Sequence, residues 1–173
     1  RCKVSVSVST FVPKPHTPFQ WFAQIPAAEM ERRQRLLRGA LRDRRISFNW
    51  HDAPTSRLEG VFARGDRRLG KALLEAWRNG ARFDGWSEHF HADVWDAAFA
   101  ATGIDPDFYT VRQRNVDEIM PWSHLSSGVS QEWLAGEWNA AQSGSLTRDC
   151  RHDACTGCGV CQDLGVSVVD WRV

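Results

Sequence analysis

Two short stretches alternate apolar and polar residues, and several longer ones repeat apolar residues at helical spacing. Val4, Val6 and Val8 alternate with Ser5, Ser7 and Ser9, so Cys2 to Phe11 reads as a strand. Val12 to Phe19 carries Pro13, Pro15 and Pro18, which cannot continue a ladder and favour an extended loop. Pro26 to Arg45 reads as a long helix with an apolar stripe of Leu36, Leu37, Ala40 and Leu41. Ile46, Phe48 and Trp50 alternate with Ser47 and Asn49 and predict a second strand. Ser56-Arg57-Leu58-Glu59 has the form of a capping box, predicting a short helix to about Ala63 that Gly65 ends. Asp66 then caps a helix over Arg67 to Asn79, whose apolar positions are Leu69, Ala72, Leu73, Ala76 and Trp77, with Gly80 as its stop. Asp84-Gly85 makes a turn. Further helices are expected over Asp93 to Thr102, briefly after Asp105-Pro106, and over Ser130 to Ser143. Ser143-Gly144-Ser145 reads as a linker, and Gly165 to Trp171 as a final strand.

The chain has 173 residues, enough for one domain with a small appendage. Lys plus Arg total 22 and Asp plus Glu 21, a net charge of +1, which excludes a strongly basic nucleic-acid module and leaves only local patches open. No apolar run approaches the roughly 18 residues of a membrane span. The nine Trp fall mostly at apolar helix positions or loop edges, where packing is their usual role.

The cysteines change this picture most. Cys150, Cys155, Cys158 and Cys161 follow C-x4-C-x2-C-x2-C, and Gly157 and Gly159 would let the backbone wrap a metal centre. Without a leader pattern, and with Cys2 as the one other cysteine, a disulfide framework is disfavoured and the cytoplasm is the expected compartment. Structural zinc usually pairs two separated C-x2-C knuckles, whereas this run of three resembles a ferredoxin arrangement, so a four-iron cluster is favoured with zinc as the alternative. A second constellation is Arg64, Arg67 and Arg68, candidates for binding an anion by guanidinium forks. A third is Asp84, Glu88 and His89, a candidate polar site near Trp86. The helix over 26–45 concentrates Arg32, Arg33, Arg35, Arg38, Arg42, Arg44 and Arg45, either a solvated face or a nucleic-acid surface.

Four segments carry a family resemblance. Val4 to Trp21, including Phe11-Val-Pro-Lys-Pro-His-Thr-Pro18, resembles the end of the radical SAM core in bacterial radical SAM proteins that have an N-terminal cobalamin-binding domain. Arg64-Gly-Asp-Arg-Arg68, Phe83-Asp-Gly-Trp-Ser-Glu-His89 and the Asp149 to Cys161 tail are similar to motifs of the same group. The resemblance implies a fragment of a longer enzyme. Its fold would be α+β and mainly helical: residues 1–54 the last strand and helix of a partial (β/α)6 barrel, 55–145 a helical extension, and 146–173 a Cys-rich metal-binding tail. Lys14, His16, Thr17 and Gln20 would face SAM or substrate at the barrel mouth. The tail would hold an auxiliary iron–sulfur cluster, while SAM and cobalamin would act in the full-length protein. The C-x3-C-x2-C motif that holds the family's SAM-cleaving cluster is absent from this sequence, so the chain alone is expected to be inactive. Its implied partners are the barrel and cobalamin-binding domain of the same protein, with RNA or protein as substrate and no membrane. The competing expectation is a zinc-stapled helical module that binds RNA or docks a partner without catalysis.

Overall fold

A computed structural model of the chain describes residues 2–168. Packing divides it into two units. The first contains the chain up to Pro13 and Phe22–Gln113. The second contains Lys14–Trp21 and the chain from Arg114 onward. Among the described residues the structure is mainly helical with one two-stranded parallel sheet, an α+β architecture.

In the first unit, β1 (Val4–Val8) leads through α1 (Ala27–Ala40) to β2 (Ile46–Trp50). The strands pair in parallel register, Val4 opposite Ile46 and Val8 opposite Trp50. Alternation sets the faces: Val6, Val8, Phe48 and Trp50 are half-buried, while Ser5, Ser7, Ser47 and Asn49 are exposed. β1 was expected to be the last strand of its sheet, but β2 follows it as a parallel neighbour. Helix α1 stops about five residues before the predicted Arg45. The Asp43 carboxylate accepts from the backbone N–H of Arg45 and the Asp43 carbonyl from that of Ile46, so an Asx turn replaces the final helical turn.

Next come α2 (Ala53–Arg64), α3 (Leu69–Arg78), α4 (Ala92–Thr102) and α5 (Pro106–Thr110). The expected capping box at Ser56 does not form. Pro54 starts α2 three residues earlier, where its missing N–H costs nothing, and Ser56 is buried inside the helix. Two later termini obey the sequence, since Asp105 accepts from the Asp107 N–H and Gly103 closes α4 at φ 64°, whereas α3 begins at Leu69 rather than Arg67, because Asp66 accepts from the Arg68 N–H in a turn ahead of the helix. Helix α3 packs on α4 and α2 on α5, around Val61, Leu69, Ala72, Ala76, Trp95, Phe99 and Tyr109. The alanines let α3 and α4 approach closely enough for the aromatic rings to fill the space between them.

Two buried polar side chains tie irregular chain to these helices. Gln24 donates through Nε2 to the Ser56 carbonyl at 2.9 Å, and its backbone N–H reaches the Thr110 carbonyl at 2.9 Å. A Cβ on Gly60 would stand 2.2 Å from Gln24 Oε1, so glycine is what admits this carboxamide against α2. Arg64 is fully buried and donates to the carbonyls of Thr110 (2.6 Å) and Arg112 (2.9 Å). It therefore belongs to the frame and not to an anion site, because its guanidinium is spent on backbone that would otherwise be buried unsatisfied.

The second unit contains α6 (Gln131–Gln142) and the single-turn α7 (Val160–Asp163). Ser130 caps α6 by accepting from the Trp133 N–H. Its core is Trp21, Met120, Trp122, Leu134 and Trp138, with Phe19 edge-on to Trp138 at 5.7 Å. The expected strand from Gly165 is a turn and irregular chain as far as Val168, and its remaining residues, 169–171, lie outside the described residues.

Two outcomes are expected. Arg64→Ala leaves two buried carbonyls without their charged donor, so it should cost about 3–5 kcal/mol in chemical denaturation, against less than about 0.5 kcal/mol for exposed Arg67→Ala. Equal costs would refute the clamp. On α1, hydrogen bonds from Arg32 and Arg33 lower the Glu29 carboxyl to about 2. A depressed folded pKa contributes stability above the unfolded value, and that contribution is lost as pH falls from the ordinary carboxylate range through about 2. An NMR titration of Glu29 should find that midpoint, and R32Q/R33Q should return it toward the ordinary range.

Candidate functional site

The Pro-rich loop begins the second unit as a compact turn. Thr17 Oγ1 donates to the Lys14 carbonyl at 2.8 Å, and the Gln20 N–H to the Thr17 carbonyl at 3.0 Å. His16 adopts φ 55°, a left-handed conformation uncommon outside glycine, and holds it because its N–H is bonded to Gln20 Oε1 at 3.1 Å. The same oxygen accepts from the indole N–H of Trp122, 102 residues away, at 2.8 Å. Gln20 is only 2% exposed. Arg114, also buried, braces the arrangement: its N–H reaches the Trp21 carbonyl at 2.9 Å and its guanidinium lies over the Trp122 ring at 5.6 Å.

These contacts leave a pocket of about 280 Å³. His16 and Gln20 reach it from the loop, and Trp122, Ser130, Leu134 and Asp163 complete much of its lining. Of the four loop residues expected to face ligand, His16 and Gln20 thus come together, whereas Lys14 and Thr17 are joined to each other beside it. Trp122, Ser130, Glu132 and Asp163 were not singled out from sequence. Residues 114–129 have no periodicity to mark them, and the one available signal was a Trp at a loop edge.

The cysteine tail abuts this pocket. The Ser130 N–H donates to the Cys158 carbonyl at 2.9 Å, and a Cβ on Gly159 would stand 2.9 Å from the Gly128 carbonyl oxygen. Gly157 and Gly159 take φ 75° and 99°, so both glycines are needed for the path of the chain. The Gly157 N–H already points at Cys155 Sγ, 3.4 Å away. Cys161 lies on α7, whose last residue, Asp163, lines the pocket. All the cysteines are free thiols, with Cys155 exposed and Cys150, Cys158 and Cys161 half-buried. Arg151 forks onto Asp149 and holds that carboxyl far below the usual carboxylate range. Among the described residues, no group of three or more Cys, His, Asp or Glu side chains converges as a metal cage. The donor set itself suits a soft metal centre, with four thiols and a backbone N–H directed at sulfur. Loading would have to draw the tail loop inward.

The other sequence candidates lie in the first unit. Arg68 is forked onto Asp66 at 2.6 Å and lies over Phe108 and Tyr109, while Arg67 is exposed. The Arg68 fork lowers the Asp66 carboxyl, and burial raises the Tyr109 hydroxyl. Glu88 and His89 are exposed and Asp84 is half-buried in the turn after Phe83. Phe83 itself has φ 56°, and its ring lies 6.0 Å from that of His89. A cleft of about 390 Å³ in this unit is walled by Phe90, Trp95 and Phe99, but none of the predicted site residues lines it. The arginines of α1 are partly neutralised where they stand, Arg32 and Arg33 by Glu29 and Arg35 by Glu31, and Arg38 lies over Trp50 at 4.2 Å.

Comparison with known protein families, with functionally characterised proteins and with solved structures finds no match to this chain. Among the described residues no helix is long and apolar enough to cross a membrane.

Gly159→Ala tests the junction between tail and pocket. A non-glycine residue at that φ bears about 1–2 kcal/mol of strain, and its Cβ would also meet the Gly128 carbonyl. Hydrogen exchange at the Ser130 amide should rise roughly tenfold, with the Gln24 amide of the first unit unchanged. An unchanged Ser130 amide would count against the junction.

Proposed function

We propose that this chain is the C-terminal part of a radical SAM enzyme. In this reading the Pro-rich loop supplies part of the substrate mouth, and Cys150, Cys155, Cys158 and Cys161 hold an auxiliary iron–sulfur cluster. The observation that carries it is a pocket reached both by the Pro-rich motif, through His16 and Gln20, and by the chain just past the cysteine run, through Asp163 two residues after Cys161. The sheet agrees with this reading. Parallel strands normally occur as neighbours within larger, covered sheets, and β1–α1–β2 is one repeat of such a sheet. Its uncovered face is polar, with Ser5, Ser7, Ser47 and Asn49, and so is not built to lie under a packed apolar layer.

Bound to four thiolates, the cluster would supply redox chemistry or a site for substrate coordination. The chain's own residues position the tail through Ser130 and Cys158 and present Gln20 and His16 to the pocket. SAM cleavage belongs to a cluster that this chain has no motif to bind, and cobalamin to a further domain. The RNA-binding alternative is weakened by the pairing of the α1 arginines and the burial of Arg64.

Anaerobically purified chain should contain about four iron and four acid-labile sulfides, with a visible band that bleaches on reduction. Cys158→Ser and Cys161→Ser should abolish both. One zinc per chain and no colour would instead make the tail a structural staple, and no metal at all would overturn both readings.

A further inference from the structure

The chemistry of the second unit's pocket specifies a ligand more closely than its place beside the tail does. Gln20 is the deciding residue. Its carboxamide oxygen takes two donors, the His16 backbone N–H at 3.1 Å and the Trp122 indole N–H at 2.8 Å. Because both neighbours donate, the oxygen must lie on their side and the NH2 group on the other. Among the described residues that NH2 meets no acceptor, although the residue is 98% buried and lines the pocket. The NH2 is not sealed from solvent, so it opens on the pocket, where water or a ligand supplies its acceptor.

Three serine hydroxyls extend the pattern. Ser123 Oγ accepts from the Met120 N–H at 2.9 Å, Ser126 Oγ from the Gly128 N–H at 3.1 Å, and Ser130 Oγ from the Trp133 N–H at 3.1 Å. Each oxygen is engaged as an acceptor, so each retains its own proton to donate. All three residues line the pocket. The rim has the opposite character, with the carboxylates of Glu132 and Asp163, both exposed. The pocket therefore offers neutral donors to an acceptor and a net negative rim to a cation. A free carboxylate would meet Glu132 and Asp163 without a counter-cation, whereas an amine beside a carbonyl satisfies both sets. A volume of about 280 Å³ lies at the small end of ligand sites, which suits one such group rather than a whole nucleoside cofactor.

We propose that this pocket binds a primary ammonium group that carries a nearby carbonyl, as in an α-amino amide. The carbonyl accepts from the Gln20 NH2 and from one serine hydroxyl, and the ammonium pairs with Glu132 and Asp163. This deepens the reading of His16 and Gln20 as ligand-facing, on which it rests, and it needs no metal in the tail.

The test is an NMR titration of the 15N-labelled chain at pH 7, following the Gln20 side-chain NH2 signals. Three probes are compared: glycinamide, its zwitterionic counterpart glycine, and neutral acetamide. Glycinamide should shift the Gln20 signals with about three- to tenfold higher affinity than either other probe, the margin expected of one or two exposed ion pairs. Glu132→Gln with Asp163→Asn should erase that margin and leave acetamide binding unchanged. Gln20→Glu keeps an acceptor for His16 and Trp122 but removes the N–H donors, so in that variant, read at the Ser130 amide, acetamide should cause no shift while the Trp122 indole N–H stays protected from exchange. Failure of glycinamide to move the Gln20 signals, or glycine binding as tightly as glycinamide, would overturn the assignment. Glycinamide binding to a chain that takes up no iron would sink the radical SAM reading and keep the ligand class. An iron-loaded chain that ignores glycinamide would do the reverse.

Discussion

Long stretches of this chain are neither helix nor strand, and their backbone must still be satisfied wherever it is buried. That constraint is met by a few buried polar side chains. In the first unit Arg64 holds the carbonyls of Thr110 and Arg112, and Gln24 holds that of Ser56. In the second, Gln20 joins His16 to Trp122, and Arg114 braces Trp21 and Trp122. Each of these bonds closes a long loop and carries an entropic cost that only a well-satisfied group repays. A charged donor to a carbonyl is stronger than a neutral one, which explains why arginine takes two of these positions.

The same device makes the pocket. Apolar residues alone, Trp21, Met120, Leu134 and Trp138, would close the second unit around a dry core. Placing Gln20 among them forces one face of a carboxamide to be satisfied internally and leaves the other needing a partner. His16 bears the cost of an unfavourable φ so that its N–H can reach that carboxamide. Strain and an unspent donor thus lie at one point of the loop, beside the junction with the cysteine tail.

Local chemistry was legible from sequence, and long-range polar closure was not. The alternating valines and Ile46-Ser-Phe-Asn-Trp50 gave both strands, and Gly103, Asp105 and Ser130 gave their helix ends, because each signal acts within a few residues. Ser56 misled: a Ser-x-x-Glu pattern looks the same whether it caps a helix or lies inside one, and Pro54 decided the matter. The Arg64-Gly-Asp-Arg-Arg68 run looked like one basic cluster, yet its members separate into a buried clamp, an exposed side chain and a fork onto Asp66. In the pocket, His16 and Gln20 came from a motif. Trp122, Ser130, Glu132 and Asp163 join them only through a fold closed by a bond that spans 102 residues, which no local pattern announces.

The sheet bears on what the first unit can do. Val6, Val8, Phe48 and Trp50 cover one face, while the opposite face shows serine and asparagine side chains, with Asn49 Nδ2 only 3.5 Å from Ser5 Oγ. Burying that face under an apolar layer would strand four polar side chains, at a cost that two short strands cannot repay. A polar interior removes the penalty, because water or a polar ligand can meet those groups. The β1–α1–β2 repeat with one apolar and one hydrophilic face is therefore suited to a sheet whose inner side handles polar molecules, and this suitability depends on neither the cysteines nor the metal they would hold.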